Sequence, residues 1–275
     1  MKKIKIAILF TCFNRKKITL RTVRHFDLYR SLYQLSFYIV DDLSSDNTVE
    51  ELKKLNTKKI NMFQTKGNYY YSKSMSLGMK KILDSHDVFD YLLIINDDVN
   101  FNDFFLNKMV LFQQKNNCIT IGACCDSSHK LSYGGIKFKS MFSTKYEMIG
   151  PNKSSVSCDT FNGNCVLIPY EWFQQIGPMD SFYSHSFGDF DFGLQFKKNH
   201  FPMHVMNEYV GICNRNEKKN TWLDSKLSVL KRIKLKESPK GSPFLSTFYF
   251  YSKNFNVFFA IKCSLFQYFR ILLKK

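Results

Sequence analysis

Apolar and polar positions in the first hundred residues fall into two alternating kinds of stretch. Ile4 to Phe10 passes from alternation into a continuous apolar run and stops at Thr11-Cys12-Phe13-Asn14-Arg15, a polar loop ahead of a helical pattern that reaches about Tyr33. A second apolar run, Ser36 to Val40, ends on Asp41 and Asp42. Leu43 to Thr48 then form a turn and a helix amino terminus, with Glu50 and Glu51 in the first turn, where the helix dipole favours acids. A short third strand near Asn61 to Gln64 leads through Asn68 and three tyrosines to a helix from about Ser72 to Leu83. The fourth run, Leu92 to Ile95, stops abruptly at Asn96, Asp97 and Asp98. Uninterrupted apolar runs predict strands buried on both faces, and their alternation with helices predicts an α/β fold with a mostly parallel central sheet.

The polar residues at the strand ends carry the candidate chemistry, because open α/β sheets bind ligands at their carboxyl edge. Asp97 and Asp98 beside an amide suit a hard divalent cation, Mg²⁺ or Mn²⁺, that carries phosphate oxygens; a solvated turn is the alternative, since Asn and Asp are turn formers. Asp41 and Asp42 read as hydrogen-bond partners of a base or ribose, or as the start of a turn. Thr11 and Asn14 read as ligand contacts or as helix caps.

Composition narrows the partners. With 275 residues, 44% hydrophobic and 16% aromatic, the chain can bury a full core and is not disordered. The formal charge of +17 is spread and mostly lysine, with arginines only at 15, 21, 24, 30, 215, 232 and 270. No Arg-rich reading surface appears, so nucleic acid is not expected, whereas an anionic membrane face or a phosphorylated substrate suits the charge. Eight cysteines include no CxxC pair and no zinc spacing, which points to free thiols in a reducing cytosol. The first apolar run is broken by Lys5 and lacks a signal-peptide core, so it is expected to be a strand in a cytoplasmic protein.

After Arg215 the character changes. Glu217 to Asn220 read as a charged turn, Trp222 to Leu235 as a basic helix, and Ser238-Pro239-Lys240-Gly241-Ser242-Pro243 as a hinge. In the aromatic-rich stretch Phe244 to Lys275, helical spacing puts Asn256, Lys262, Gln267, Arg270 and Lys274 on one half. Phe255, Phe258, Phe259, Ile261, Leu265, Phe269 and Leu272 mostly take the other. Lys262 and Arg270 argue against a bilayer span. Three readings stay open: a helix in a membrane interface, a helix packed on the main domain, or a homo-dimer surface.

Phe10 to Arg15, Val40 to Thr48 and Asn96-Asp97-Asp98 resemble, in order and spacing, the successive motifs of family 2 inverting glycosyltransferases of the GT-A fold. Phe161-Asn162-Gly163-Asn164, Ile176-Gly177 with Asp180, and Gly188-Asp189-Phe190-Asp191-Phe192-Gly193-Leu194 resemble the acceptor half of such enzymes, and Ser184 to Asp191 is similar to a bacterial surface-polysaccharide subgroup. The resemblance implies a GT-A-type, Rossmann-like catalytic domain over 1–215, with a donor half to about 100 and an acceptor half over 101–215. A basic amphipathic helical appendage, 216–275, follows. It implies transfer of a sugar from a nucleoside-diphosphate sugar to a glycan or lipid-linked acceptor, with inversion. Thr11, Asn14, Arg15, Asp41, Asp42, Lys73, Asn96 and Asp97 would face the donor, and Asp98, with Asp97 or a bridging water, would hold the cation. Gly163, His185 and Asp191 would lie on the acceptor side. Asp189 would be the base, with room left by Gly188 and with Asp191 pointing to the other face of an extended segment.

Departures from the family pattern are Leu43 in place of a glycine, Met75 and Gln195 in place of arginines, and Lys73 as the substitute cation. His185 and Trp172 also have plain packing readings. A sugar-nucleotide pyrophosphorylase would want a glycine in Thr11 to Lys17, and there is none. A basic nucleic-acid or membrane-binding module is the non-enzymatic alternative.

Overall fold

The computed structural model describes residues 3–55, 59–140, 143, 145–215 and 217–273. The first half runs β1 (Ile4–Cys12), α1 (Lys16–His25), β2 (Tyr33–Asp41), α2 (Thr48–Lys53), β3 (Lys59–Gln64), α3 (Tyr70–Asp84) and β4 (Tyr91–Ile95). Next come β5 (Asn100–Phe101), α4 (Phe105–Asn116), β6 (Ile119–Ile121), β7 (Cys124–Cys125), β8 (Leu131–Tyr133), β9 (Gly135–Phe138), β10 (Tyr146–Ile149), β11 (Val156–Ser157) and β12 (Thr160–Phe161). β13 (Cys165–Pro169), α5 (Tyr170–Ile176), α6 (Gly188–Lys198), β14 (Met203–Val205) and β15 (Gly211–Ile212) complete the sheet region, and α7 (Val229–Lys236), α8 (Phe244–Asn254) and α9 (Val257–Leu272) follow.

Among the described residues, eight strands form the central sheet in the order β11-β14-β6-β13-β4-β1-β2-β3. β1 pairs in parallel with both β2 and β4, and β13 enters antiparallel beside β4. The apolar run of β1 is continuous because both faces are covered: Ile6, Ile8 and Phe10 join Phe26, Phe105 and Met109 on one side, while Ala7 and Leu9 join Met75, Met79 and Phe173 on the other. This mixed α/β sheet flanked by helices is the architecture expected from the pattern.

Several boundaries differ. The first helix ends at His25, a 3₁₀ turn covers Phe26–Tyr29, and Tyr33 begins β2 opposite Ile4. Phe26 and Tyr29 keep helical spacing because they are core residues, which carries the pattern past the true end. The basic helix starts at Val229, where the Ser228 side chain accepts from the Lys231 N–H, so Trp222 lies outside it. The aromatic stretch is two helices, α8 and α9, broken at Phe255 and restarted by Asn256, whose side chain accepts from the Phe259 N–H. Lys274 lies outside the described residues. The expected hinge is held in place: Lys236 Nζ donates to Ser242 O, and Ser186 Oγ donates to Gly241 O. No helix among the described residues is long and apolar enough to cross a membrane. All eight cysteines are free and buried.

Candidate active site

The loops after β1, β2 and β4 meet at the carboxyl edge of the sheet, and a cavity of about 900 Å³ opens there. That volume suits a small-molecule ligand rather than a flat contact surface. Thr11, Arg15, Asp42, Asn96, Asp97, Asp98, Gly163, His185 and Asp189 all line it.

The β4 turn is fixed from α1. Thr19 Oγ1 donates to Asp97 Oδ2 at 2.9 Å, and Thr22 Oγ1 donates to the Asp97 carbonyl at 2.7 Å. Arg15 Nη1 bridges Asp97 Oδ1 at 3.0 Å and Asp98 Oδ2 at 3.2 Å. The two acids therefore divide the work. Asp97 is 2% exposed with both oxygens engaged inside the fold, whereas the Asp98 side chain is 41% exposed at the cavity surface. Asp97 is thus a support for the turn, not a carboxylate open to a cation. Among the described residues no three His, Cys, Asp or Glu side chains converge on one point. A single presented carboxylate still fits Mg²⁺ or Mn²⁺ of the kind that takes its other ligands from substrate phosphates and water.

A similar division holds after β2. Asp41 is fully buried and does not line the cavity, and its Oδ2 accepts from Ser44 N at 2.9 Å and Gln64 Nε2 at 3.1 Å. Asp42 reaches the cavity, but its oxygens accept from the N–H groups of Tyr69 and Tyr70 at the start of α3 and from Thr65 Oγ1. Asn14 does not line the cavity either. Its N–H donates to Ser44 Oγ and its side chain accepts from Ser45 N, both at 2.8 Å, lacing the first loop to the second. Leu43 sits in the left-handed region at φ 68°, a conformation that a glycine would take without strain.

Lys73 turns away from the cavity, with Nζ 4.5 Å from the centre of the Tyr69 ring, and Met75 is buried in the core. The cavity's lysines are instead Lys66 and Lys240. The sequence reading missed both, along with Tyr70, Tyr71, Asn164, Cys213 and Asn214. Lys240 had one legible signal, a lysine set in a Pro/Gly breaker.

Asp189 lies in the first turn of α6, not in an extended strand. Its Oδ2 accepts from Gly163 N at 3.1 Å and its Oδ1 from Phe190 N at 2.9 Å. Burial nevertheless outweighs these bonds and pushes its carboxyl up to about 6. The place left by the absent Gly188 side chain is filled by Ser72, so that glycine serves helix packing rather than substrate access. Gly163 is as tightly placed: a Cβ there would run into the Tyr71 hydroxyl, which donates to the Gly163 carbonyl at 3.3 Å. The Tyr71 hydroxyl feels the charges of both Asp189 and Asp98, after burial the main causes of its raised pKa. His185 stands edge-on to Tyr70 and Tyr71; burial, with Lys240 and Arg15 adding to it, lowers its pKa to about 4, so the imidazole is neutral at pH 7.

Asp191 is absent from the cavity. It is 1% exposed and accepts from Lys253 Nζ at 2.8 Å and Asn254 Nδ2 at 2.7 Å, which makes it the anchor of α8. Trp172 stacks on Phe201, with centroids 4.9 Å apart, and is likewise outside the cavity.

A mixed sheet whose carboxyl edge bears an Asn-Asp-Asp turn, with a second half that brings Asp189 to the same cavity, is the GT-A fold. The chain belongs to glycosyl transferase family 2, whose family model matches residues 7–176. Its fold is similar to the crystal structure of GalNAc-T7 with UDP, GalNAc and Mn²⁺, at 12% identity and a TM-score of 0.57 over 94% of this chain. It spans 56% of that longer protein. It is also similar to S. aureus TarS, at 13% identity and a TM-score of 0.55 over 90% of this chain and 42% of TarS. Residues 1–349 of TarS with UDP-GlcNAc give a TM-score of 0.56 at 13% identity, covering 90% of this chain and 70% of that one. No curated protein matches the sequence.

Proposed function

We propose that the cavity binds a nucleoside-diphosphate sugar and passes the sugar, with inversion, to a hydroxyl of a glycan or lipid-linked acceptor in bacterial surface-polysaccharide synthesis. The observation that carries this reading is Asp189, a carboxylate raised to about 6 that lines the same cavity as Asp98 and Arg15. The complexes of the similar proteins, TarS 1–349 with UDP-GlcNAc and GalNAc-T7 with UDP, GalNAc and Mn²⁺, support a nucleotide-sugar donor.

Asp98 would hold the divalent cation beside the donor, with Asp97 and Arg15 fixing the direction of its carboxylate. The cation, when bound, neutralises charge growing on the departing diphosphate. Arg15, Lys66 and Lys240 add positive charge around the same space. Asp189 takes the proton of the acceptor hydroxyl as that oxygen attacks the anomeric carbon from the face opposite the diphosphate, and this inverts the centre. The backbone N–H groups of Gly163 and Phe190 keep the carboxylate aimed. Neutral His185 lines the cavity without adding charge to it.

Calorimetric titration with UDP, GDP, CDP and dTDP in the presence of Mn²⁺ tests the donor half. At least one nucleotide is expected to bind, with affinity falling at least about tenfold on chelation or in Asp98→Ala. Affinity indifferent to both changes would remove the cation from the account.

A further inference from the structure

α9 is packed the unusual way round. The side it buries carries Phe259, Ala260, Cys263, Ser264 and Ile271, mostly small residues, while Phe258, Ile261, Leu265, Phe269 and Leu272 form a row at helical spacing on the outside. Phe258 is 86% exposed and Phe269 58%. Phe266 and Leu273 widen the same face, with Lys262 among them. The separation of basic from apolar halves expected from the sequence therefore does not decide burial. Packing on α8 uses one apolar side and leaves a larger one in water. An aromatic surface of this size needs a cover.

Charge selects the cover. Residues 216–275 contain 13 Lys and Arg against 3 Asp and Glu, a net +10 out of the chain's +17. Arg232 and Lys236 are buried, but Lys262 and Arg270 stand exposed on α9 itself; two copies brought face to face would set these charges against each other, whereas an anionic bilayer attracts them and accepts the aromatic row into its interface. We infer that the outer face of α9 is a docking surface for an anionic phospholipid membrane, on which the helix lies in the plane of the interface. The face is tied to the cavity wall: Gln267 on α9 donates to Ser242 Oγ at 3.1 Å, and Ser242 lines the cavity with Lys240. A seated helix would hold the cavity next to the lipid surface. This surface stands whether or not the cavity transfers sugar.

The test is co-sedimentation of the full chain with vesicles of phosphatidylcholine alone or mixed with phosphatidylglycerol, alongside analytical ultracentrifugation without lipid. Binding is expected to the anionic vesicles only, to weaken as salt rises, and to fall at least about tenfold in Phe258→Ser/Phe269→Ser. Both positions are exposed, so the variant's thermal unfolding should match that of the parent; if it does not, Ile261→Ser/Leu265→Ser is read in its place. Absence of binding to anionic vesicles at low salt would overturn the inference. So would vesicle binding unmoved by the serine variants, which would assign it to surface charge alone. A lipid-free dimer that these variants dissociate, without vesicle binding, would assign the face to a second copy.

Discussion

Asp189 must be an anion to take a proton, yet its position favours the neutral acid up to about pH 6. Two consequences follow with opposite signs. The rate limited by this base should rise through about pH 6 and fall roughly tenfold per unit below it, read as a kcat/KM profile. Stability runs the other way. Below the ordinary value of 3.8 the carboxyl is protonated in folded and unfolded chains alike, and as pH rises through about 6 the folded chain loses the stabilising proton that it held more tightly. At pH 7 that loss is at most about 3 kcal/mol. Asp189→Asn should therefore raise the unfolding temperature at pH 7 and leave it nearly unchanged at about pH 3, below the ordinary value. A melting temperature that drops at pH 7 would mean that the carboxylate is stabilising, and that its raised pKa is not the basis of its role. Of this residue, the sequence made the place in a family-like motif legible but not the setting. Its two backbone donors depend on a helix beginning at Gly188, and the DFDF alternation hides that start behind a strand-like period.

At the scale of elements, α6 serves two sides. Its first turn offers Asp189 to the cavity, and one residue pair later Asp191 turns inward to Lys253 on α8, which also bonds Asp180 at 2.9 Å. Removing the cation leaves a buried carboxylate short of a partner. Lys253→Met should cost roughly 1.5–3 kcal/mol in chemical denaturation, with nucleotide affinity near that of the parent. Equal loss of nucleotide affinity would mean that α8 positions the donor site directly. The sheet elements were legible because burial on both faces writes continuous apolar runs; α8 and α9 were not, because one aromatic composition covers both and the break rests on Asn256 acting as a cap.

Across the whole molecule, the cavity is made by segments far apart in the chain. Arg15, Asp98, Gly163, Asp189 and Lys240 share one wall space, although the first four sit in segments resembling family motifs and the last in a segment that reads as a hinge. The acids at strand ends were legible by type and position. Their division of labour was not, since it depends on donors brought from other segments: Thr19 on α1, Gln64 on β3, and the backbone N–H groups of Ser44 and Tyr69. The cation substitute was misread at Lys73 for a similar reason: helix phase, which adjacent tyrosines do not reveal, turns it onto Tyr69.

The most direct test of the account is release of nucleoside diphosphate from a panel of nucleotide sugars, supplied with mixed glycan and lipid-linked acceptors and Mn²⁺, by the parent chain and by Asp189→Asn. At least one donor is expected to turn over with acceptor present, and Asp189→Asn should slow that turnover by about 10²- to 10⁴-fold while still binding the nucleotide. Turnover by Asp189→Asn at the parent rate would contradict the assignment of the base and, with it, the central claim.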